Sequence, residues 1–249
     1  MTDINFFTIV LIGFLAQMID GSLGMGFGTS STTFLTTLGV PAKIASASVH
    51  TAELFTTSAS GISHWKLENV NWALFKKLVI PGNIGSVIGA YTLVRVPVFL
   101  ISPVVTVYLL VVGIAILNRG IRGASEKPIL GRKLLPVGLA GGFFDALGGG
   151  GWGPIVTSTM VASGHPPRCS VGTVNTTEFF VVLVQVFTFT TLMGIEQLWR
   201  FILGLAIGGV IAAPFAASIS AKVSEKKMLV AVGTLIIILN VRNLAMLIF

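Results

Sequence analysis

Six stretches of this chain, residues 42–64, 72–94, 98–117, 167–193, 199–221 and 228–249, are apolar over the length of a membrane span, which takes roughly 20 residues at about 1.5 Å each. Charged residues are 10% of the 249 and hydrophobic ones 53%, where a soluble domain carries about 25% charged residues. So few charges cannot cover a water-facing surface, and the mean hydropathy of +0.92 agrees. Lipid is the solvent. The expected fold class is an all-α integral membrane protein, and the expected location is the cell membrane, multi-pass, plasma or inner. The formal charge of +7 does not point to nucleic acid, because the basic residues sit in short stretches between apolar blocks, where they orient a membrane protein. The lone Cys169 excludes a disulfide framework and a thiolate metal cluster. Residues 1–20 lack a basic start and run into glycine rather than a cleavage site, so no removable leader is expected.

The chain repeats itself. Residues 13–55 align without a gap on residues 138–180 at a constant offset of 125, as from Asp20 to Asp145. Gly24, Gly26 and Gly28 fall on Gly149, Gly151 and Gly153, Gly39 on Gly164, Pro41 on Pro166, Thr51 on Thr176, Glu53 on Glu178 and Phe55 on Phe180. Lys43 with Arg168 and His50 with Asn175 are chemically close substitutions. Chance matching of apolar sequence pairs Leu with Val, not Asp, Glu and Pro, so the two halves are copies. The expected organisation is a first transmembrane repeat at 1–118, a basic cytoplasmic linker at 119–133 and a second repeat at 134–249.

Each half opens with an apolar segment, 4–19 or 134–144, that reaches an Asp and a glycine cluster. A short segment follows, 29–38 or 154–163, and ends at Gly-x-Pro. Glycine and proline break helices, which predicts a broken, re-entrant helical hairpin before three spanning helices. Three crossings are an odd number, so the second half enters the membrane upside down, the inverted-repeat plan of many secondary transporters. With the linker inside, Lys66, Lys76, Lys77, Arg119, Arg122, Lys127, Arg132, Lys133, Arg168, Lys222, Lys226 and Lys227 fall inside, and Lys43, Arg95, Arg200 and Arg242 outside. That bias is the one membrane proteins show.

The chemistry-bearing residues lie at the breaks and on the helix after each Gly-x-Pro. Ser46, His50, Glu53, Thr57 and Ser60 recur at steps of four and three, on one helical face, and Asn175, Glu178 and Gln185 repeat the stripe. A carboxylate in mid-span costs about 2.5 to 3.5 kcal/mol on insertion scales and should face a bundle interior. Glu53 and Glu178 are therefore coupling residues or structural caps of a neighbouring broken helix. The glycine clusters let backbone approach a ligand, and the half-helices that follow present free N–H groups and the positive end of a dipole, a natural anion site. Close helix packing is the rival use of the same glycines. Asp20 and Asp145 are placed to cap the following turn or, less favourably, to carry protons. Lys43 and Arg168 either draw anions to the mouths or anchor helix ends at the interface. His50 has two readings, a titrating group and a plain hydrogen-bonding one. Trp152, inside a glycine loop, is placed to line a gate. No Gly-Lys-Ser/Thr follows the glycines, which removes a nucleotide reading.

The string of Asp, glycine cluster, Gly-x-Pro, basic residue and a polar helix with Thr-x-Glu resembles the sulfite exporter TauE/SafE family of membrane permeases over nearly the whole chain. Gly164-His165-Pro166-Pro167-Arg168, Val171-Gly172-Thr173 and Thr177-Glu178-Phe179-Phe180 carry it most strongly. The resemblance implies outward transport of sulfite or an organosulfonate such as sulfoacetate. Together with the residue pattern it gives a midplane anion site lined by Gly26, Gly28, Gly151, Gly153 and the His50/Asn175 and Thr51/Thr176 pairs, worked by alternating access. An anion channel, or a permease for another small anion, is the alternative. No enzyme chemistry, metal or cofactor is expected, because three scattered histidines and one cysteine supply no nucleophile with its base and no ligand cluster. The expected partners are the anion and the bilayer, with protons and a homo-oligomer left open.

Overall fold

The computed structural model describes residues 4–23, 25–66, 68–122, 134–157, 159–160, 165, 167–194, 198–220 and 225–248. Helices fill it: α1 (Phe6–Leu23), α2 (Phe27–Thr37), α3 (Ala42–Lys66), α4 (Trp72–Arg95), α5 (Val98–Arg122), α6 (Leu134–Gly148), a π-helical turn (Gly153–Thr157), α7 (Pro167–Met193), α8 (Trp199–Ser220) and α9 (Glu225–Ile248). No strand occurs among the described residues. Trp72–Arg95, Phe99–Arg122, Cys169–Met193 and Leu229–Met246 are long and apolar enough to cross a membrane, and Phe6–Asp20, Leu134–Gly148 and Trp199–Ala212 are shorter apolar helices. The span expected at 42–64 forms as the 25-residue α3. Its buried Ser46, Ser48, His50, Glu53 and Thr57 make it too polar to read as a span on composition alone.

Some boundaries move. α5 continues through Arg122, so the first turn of the expected linker is helix, and 123–133 lies outside the described residues. α6 runs on to Gly148, past the Asp. The second short segment, expected at 154–163, is described only at its start, where Gly153–Thr157 winds as a π turn around Pro154, which has no N–H to give a normal helical ladder. Gly164, Pro166 and the side chain of Arg168 lie outside the described residues.

Close backbone contacts fix the helix directions. Gly113 of α5 meets Ile236 of α9, Leu117 meets Gly233, and Gly120 meets Leu229 and Val230; the numbers fall on one helix as they rise on the other, so α5 and α9 are antiparallel. Ile9 of α1 lies by Gly204 of α8 and Gln17 by Gly209, while Gly82 of α4 lies by Gly142 of α6 and Gly89 by Phe143 and Ala146; both pairs are parallel. Small residues drive such contacts because lipid tails are as apolar as leucine, leaving van der Waals packing to hold helices together. A methyl at Gly142 would sit 2.1 Å from the Gly82 carbonyl oxygen. The glycines at 82, 85, 89, 204 and 208 thus pack helices within one chain.

The same contacts sort the helix ends. Arg200 at the start of α8 bonds the Ile4 carbonyl before α1 (3.3 Å), and Asn243 near the end of α9 bonds Thr37 at the end of α2 (3.2 Å). Hence α1 enters and α2 returns on the side where α3 and α5 begin, opposite the linker, called the outer side below. Trp65, Trp72 and Trp199 are exposed at helix ends, as suits side chains that anchor at an interface. Phe7, Phe99 and Phe187 are each more than 70% exposed, at 78%, 74% and 73%, and such apolar surfaces face lipid.

Candidate functional site

Both breaks are built alike. α1 ends at Leu23, Gly26 turns the chain with φ +115°, and Asp20 Oδ1 accepts the Phe27 N–H that opens α2 (3.3 Å). α6 ends at Gly148, Gly149 turns with φ +72°, and Asp145 Oδ1 accepts Gly151 N–H (2.7 Å) and Trp152 N–H (2.9 Å). The aspartate reaches seven residues ahead in each case, Asp20 to Phe27 and Asp145 to Trp152. Both carboxylates cap donors that no helical carbonyl would meet.

The two breaks meet. Thr29 Oγ1 donates to Gly150 O (2.5 Å), Thr32 Oγ1 to Gly149 O (3.4 Å), and Tyr108 of α5 adds its hydroxyl to Gly150 O (3.4 Å). A methyl at Gly28 would lie 2.0 Å from Gly149 O, and one at Gly150 would lie 2.0 Å from Thr29 N. Gly28, Gly151 and Gly153 are buried and Gly26 is half-buried. Gly151 packs on the Tyr108 hydroxyl and Gly153 on Met25. In this conformation the glycine crossing is shut.

Around it lies a polar network that spans the two halves. His50 of α3 stands between Ser46 O (Nδ1, 2.7 Å) and Asp145 Oδ2 (Nε2, 3.2 Å), and Gln185 Nε2 of α7 donates to the same Oδ2 (2.8 Å). The Ser46 hydroxyl also lies 3.3 Å from Nδ1. Ser46 Oγ also donates to Ala146 O (2.6 Å). One turn along α3, Glu53 is buried and its Oε2 has no hydrogen-bond partner. Glu178 of α7 is half-buried, close enough that the two glutamates act on each other electrically, with Asp20 and Asp145 also within range.

The other expected residues are placed as follows. Thr51 and Thr176 turn their hydroxyls to the carbonyls four residues back, Ala47 O (2.7 Å) and Gly172 O (2.8 Å). Asn175 is half-buried on α7, and Lys43 is half-exposed in the first turn of α3 on the outer side. Trp152 is fully buried, its indole N–H on Val174 O (3.2 Å). Tyr108 went unnoticed in the sequence, where the one available signal is a phenol in the middle of an apolar span; its ring stacks on Phe144 at 4.9 Å.

A profile of the sulfite exporter TauE/SafE family matches residues 9–243. The chain is 42% identical over 241 residues to the protein named probable membrane transporter protein YtnM of Bacillus subtilis (strain 168), across 94% of this chain and 80% of that protein. No solved structure matches the chain.

Proposed function

Since the chain belongs to the sulfite exporter TauE/SafE family and is a multi-pass membrane transporter, we propose that it exports a small sulfur-containing anion, sulfite or an organosulfonate such as sulfoacetate, by alternating access. The anion sits between the two breaks once they part, held by the N–H groups and dipole of α2 and by the glycine backbone of the second break. The observation that carries the proposal is the meeting of two capped, glycine-turned breaks at Thr29 and Gly150, with the buried Glu53 Oε2 unpaired nearby on α3. Inverted repeats at 1–118 and 134–249 around the basic 119–133 linker fit this reading. The antiparallel course of α5 and α9 supports them, as does the exchange by which α1 packs on α8 while α6 packs on α4. A pseudo-twofold axis demands that exchange.

Export needs little driving. A dianion leaving a negative interior gains about 2.3 kcal/mol per charge for each 100 mV, so voltage alone suffices, and proton coupling through Glu53 or Glu178 is an added feature. Lys43 sits where it raises anion concentration at the outer mouth. The test is reconstitution in liposomes with sulfite, sulfate, thiosulfate, sulfoacetate and chloride in competition. Saturable flux of sulfite or sulfoacetate with trans-stimulation supports the carrier, non-saturable flux identifies a channel, and no flux of either sulfur anion refutes the substrate class.

A further inference from the structure

The eleven residues of α2, FGTSSTTFLTT, carry more hydroxyls than the second break: Thr29, Ser30 and Ser31 stand where the other half has Pro154, Ile155 and Val156, while Thr32 and Thr33 are matched by Thr157 and Ser158. At 100° per residue, Thr29, Thr32, Thr33, Thr36 and Thr37 share one helical face. The face starts at the glycine crossing, where Thr29 and Thr32 bond Gly150 O and Gly149 O. It ends at a cavity of about 650 Å³ on the outer side, lined by Thr36, Thr37, Thr106 and Asn243 together with the apolar Val105 and Met246 and the residues of the α2–α3 turn. Thr29 to Thr37 covers about 12 Å at 1.5 Å per residue. α9 lays two amides along the same face, Asn240 on Thr33 (3.3 Å) and Asn243 on Thr37 (3.2 Å).

One buried atom on this face lacks a partner, and so do the hydroxyls of Ser30 and Ser31 elsewhere on α2. Asn240 is fully buried, and its Nδ2 serves Thr33 and the Ile236 carbonyl while Oδ1 has none; Ser30 is 2% exposed and its hydroxyl has none. Buried polar groups in proteins are nearly always paired, with water where protein does not reach. The Asn240 carbonyl oxygen on the threonine face is therefore an acceptor with room for a polar partner.

We infer that the hydroxyl face of α2, with Asn240 and Asn243 of α9 and the outer cavity, is the outer half of the transport path, taking a small oxyanion that keeps part of its water. Hydroxyl and amide groups exchange for hydration one bond at a time and hold no opposite charge that would trap the ion. Arg242, whose guanidinium donates to Thr37 O (3.2 Å), and Lys43 hold positive charge at the outer end. The inference rests on the transport reading and extends it from the glycine crossing along α2 to the outer side. In the other half Thr29, Thr36 and Thr37 are matched by Pro154, Val161 and Ala162, and Thr32 and Thr33 by Thr157 and Ser158; Thr33 is 1% exposed in this conformation, so labelling below Thr37 reports opening of the path.

The test uses single cysteines in a Cys169→Ser background, at Thr37, Thr33 and Thr29, with Val156→Cys and the lipid-facing Val111→Cys as controls. A membrane-impermeant maleimide is applied to right-side-out and to inside-out vesicles without substrate, then with sulfoacetate. The expected result is outer-side labelling of Thr37→Cys and Thr33→Cys at least ten-fold faster than both controls, slowed by sulfoacetate. Labelling of Thr33→Cys no faster than the controls, or faster from the linker side, overturns the inference. Because labelling needs no substrate, fast labelling in a protein that moves neither sulfite nor sulfoacetate keeps the path and removes the substrate class, and the reverse result does the opposite. In transport, Thr33→Val with normal membrane abundance should lose at least ten-fold in maximal rate while Thr33→Ser retains it; equal rates for Val and wild type also overturn the inference.

Discussion

Gly28→Ala isolates the crossing of the two breaks. The new methyl would stand 2.0 Å from Gly149 O and 2.9 Å from Gly150 Cα, both backbone atoms of a bend that Asp145 pins by two N–H bonds. Ordinary contact begins near 3.4 Å, so the start of α2 must retreat by about 1.4 Å. That stretches the 2.5 Å bond from Thr29 to Gly150 past hydrogen-bonding range. Overpacking costs about 1–3 kcal/mol and the lost bond about 1 kcal/mol, so the closed crossing loses about 2–4 kcal/mol. At about 2–4 °C per kcal/mol for a chain this size, melting in detergent should fall by roughly 5–15 °C. Gly61→Ala is the internal contrast: its methyl meets Thr176 Cα at an ordinary 3.6 Å within helical α3. There alanine should gain about 0.5–1 kcal/mol through reduced backbone freedom, raising the melting point slightly. The measurement is size-exclusion recovery after heating, with liposome flux on the same preparations. Equal melting points for Gly28→Ala and wild type, or a larger loss for Gly61→Ala, would refute the reading of the crossing as backbone packed on backbone.

Asp145→Ala should be far worse than Asp145→Asn, because alanine strands the Gly151 and Trp152 N–H groups, at about 1–3 kcal/mol each. Asparagine keeps one oxygen for them, and Gln185 can turn its unpartnered Oε1 to the new amide; equal melting points for the two variants would discount the capping role. Glu53→Gln should leave folding intact, and if the carboxylate carries protons it should abolish the dependence of flux on an imposed pH gradient, whereas an unchanged gradient response assigns the coupling elsewhere or nowhere. Asn71→Ala removes the side chain that accepts from Ala73 and Leu74 N–H at the start of α4, and should cost about 1 kcal/mol with no change in apparent affinity for the anion.

The membrane helices were legible because span length and apolar composition survive any tertiary arrangement. The turns at the breaks were equally plain, since glycine after Asp marks them in both halves. What the residues could not give is partnership. His50 and Asp145 lie 95 positions apart and Gln185 a further 40 beyond Asp145, and only the packing of α3 and α7 around the second break brings them onto one carboxylate. The glycines carried an ambiguity of physics rather than of pattern, because a missing Cβ serves a ligand and a neighbouring backbone alike. At Gly28 and Gly150 the nearest neighbour is backbone, and at Gly149 it is the Thr32 side chain. The hydroxyls of α2 were visible as letters, but their meaning depends on Asn240 and Asn243 lying beside them. Helix α9 is more than 200 residues away in the chain.

The two breaks are not equally firm. Asp145 receives Gly151, Trp152, Gln185 and His50, three of the four at 2.7 to 2.9 Å, and Trp152 behind it is fully buried and tied to Val174. Asp20 holds Phe27 at a longer 3.3 Å, across a half-buried Gly26. A bond from a charged acceptor at 2.7 Å is stronger than one at 3.3 Å, and each added donor on one carboxylate must break in the same event. If the breaks part as proposed, α2 with its hairpin is the side expected to withdraw, against a second break held by more bonds. Hydrogen exchange should report this directly, with the amide of Phe27 exchanging at least ten-fold faster than those of Gly151 and Trp152. Faster exchange at Trp152 would assign the motion to the other copy and reverse the order of the gates.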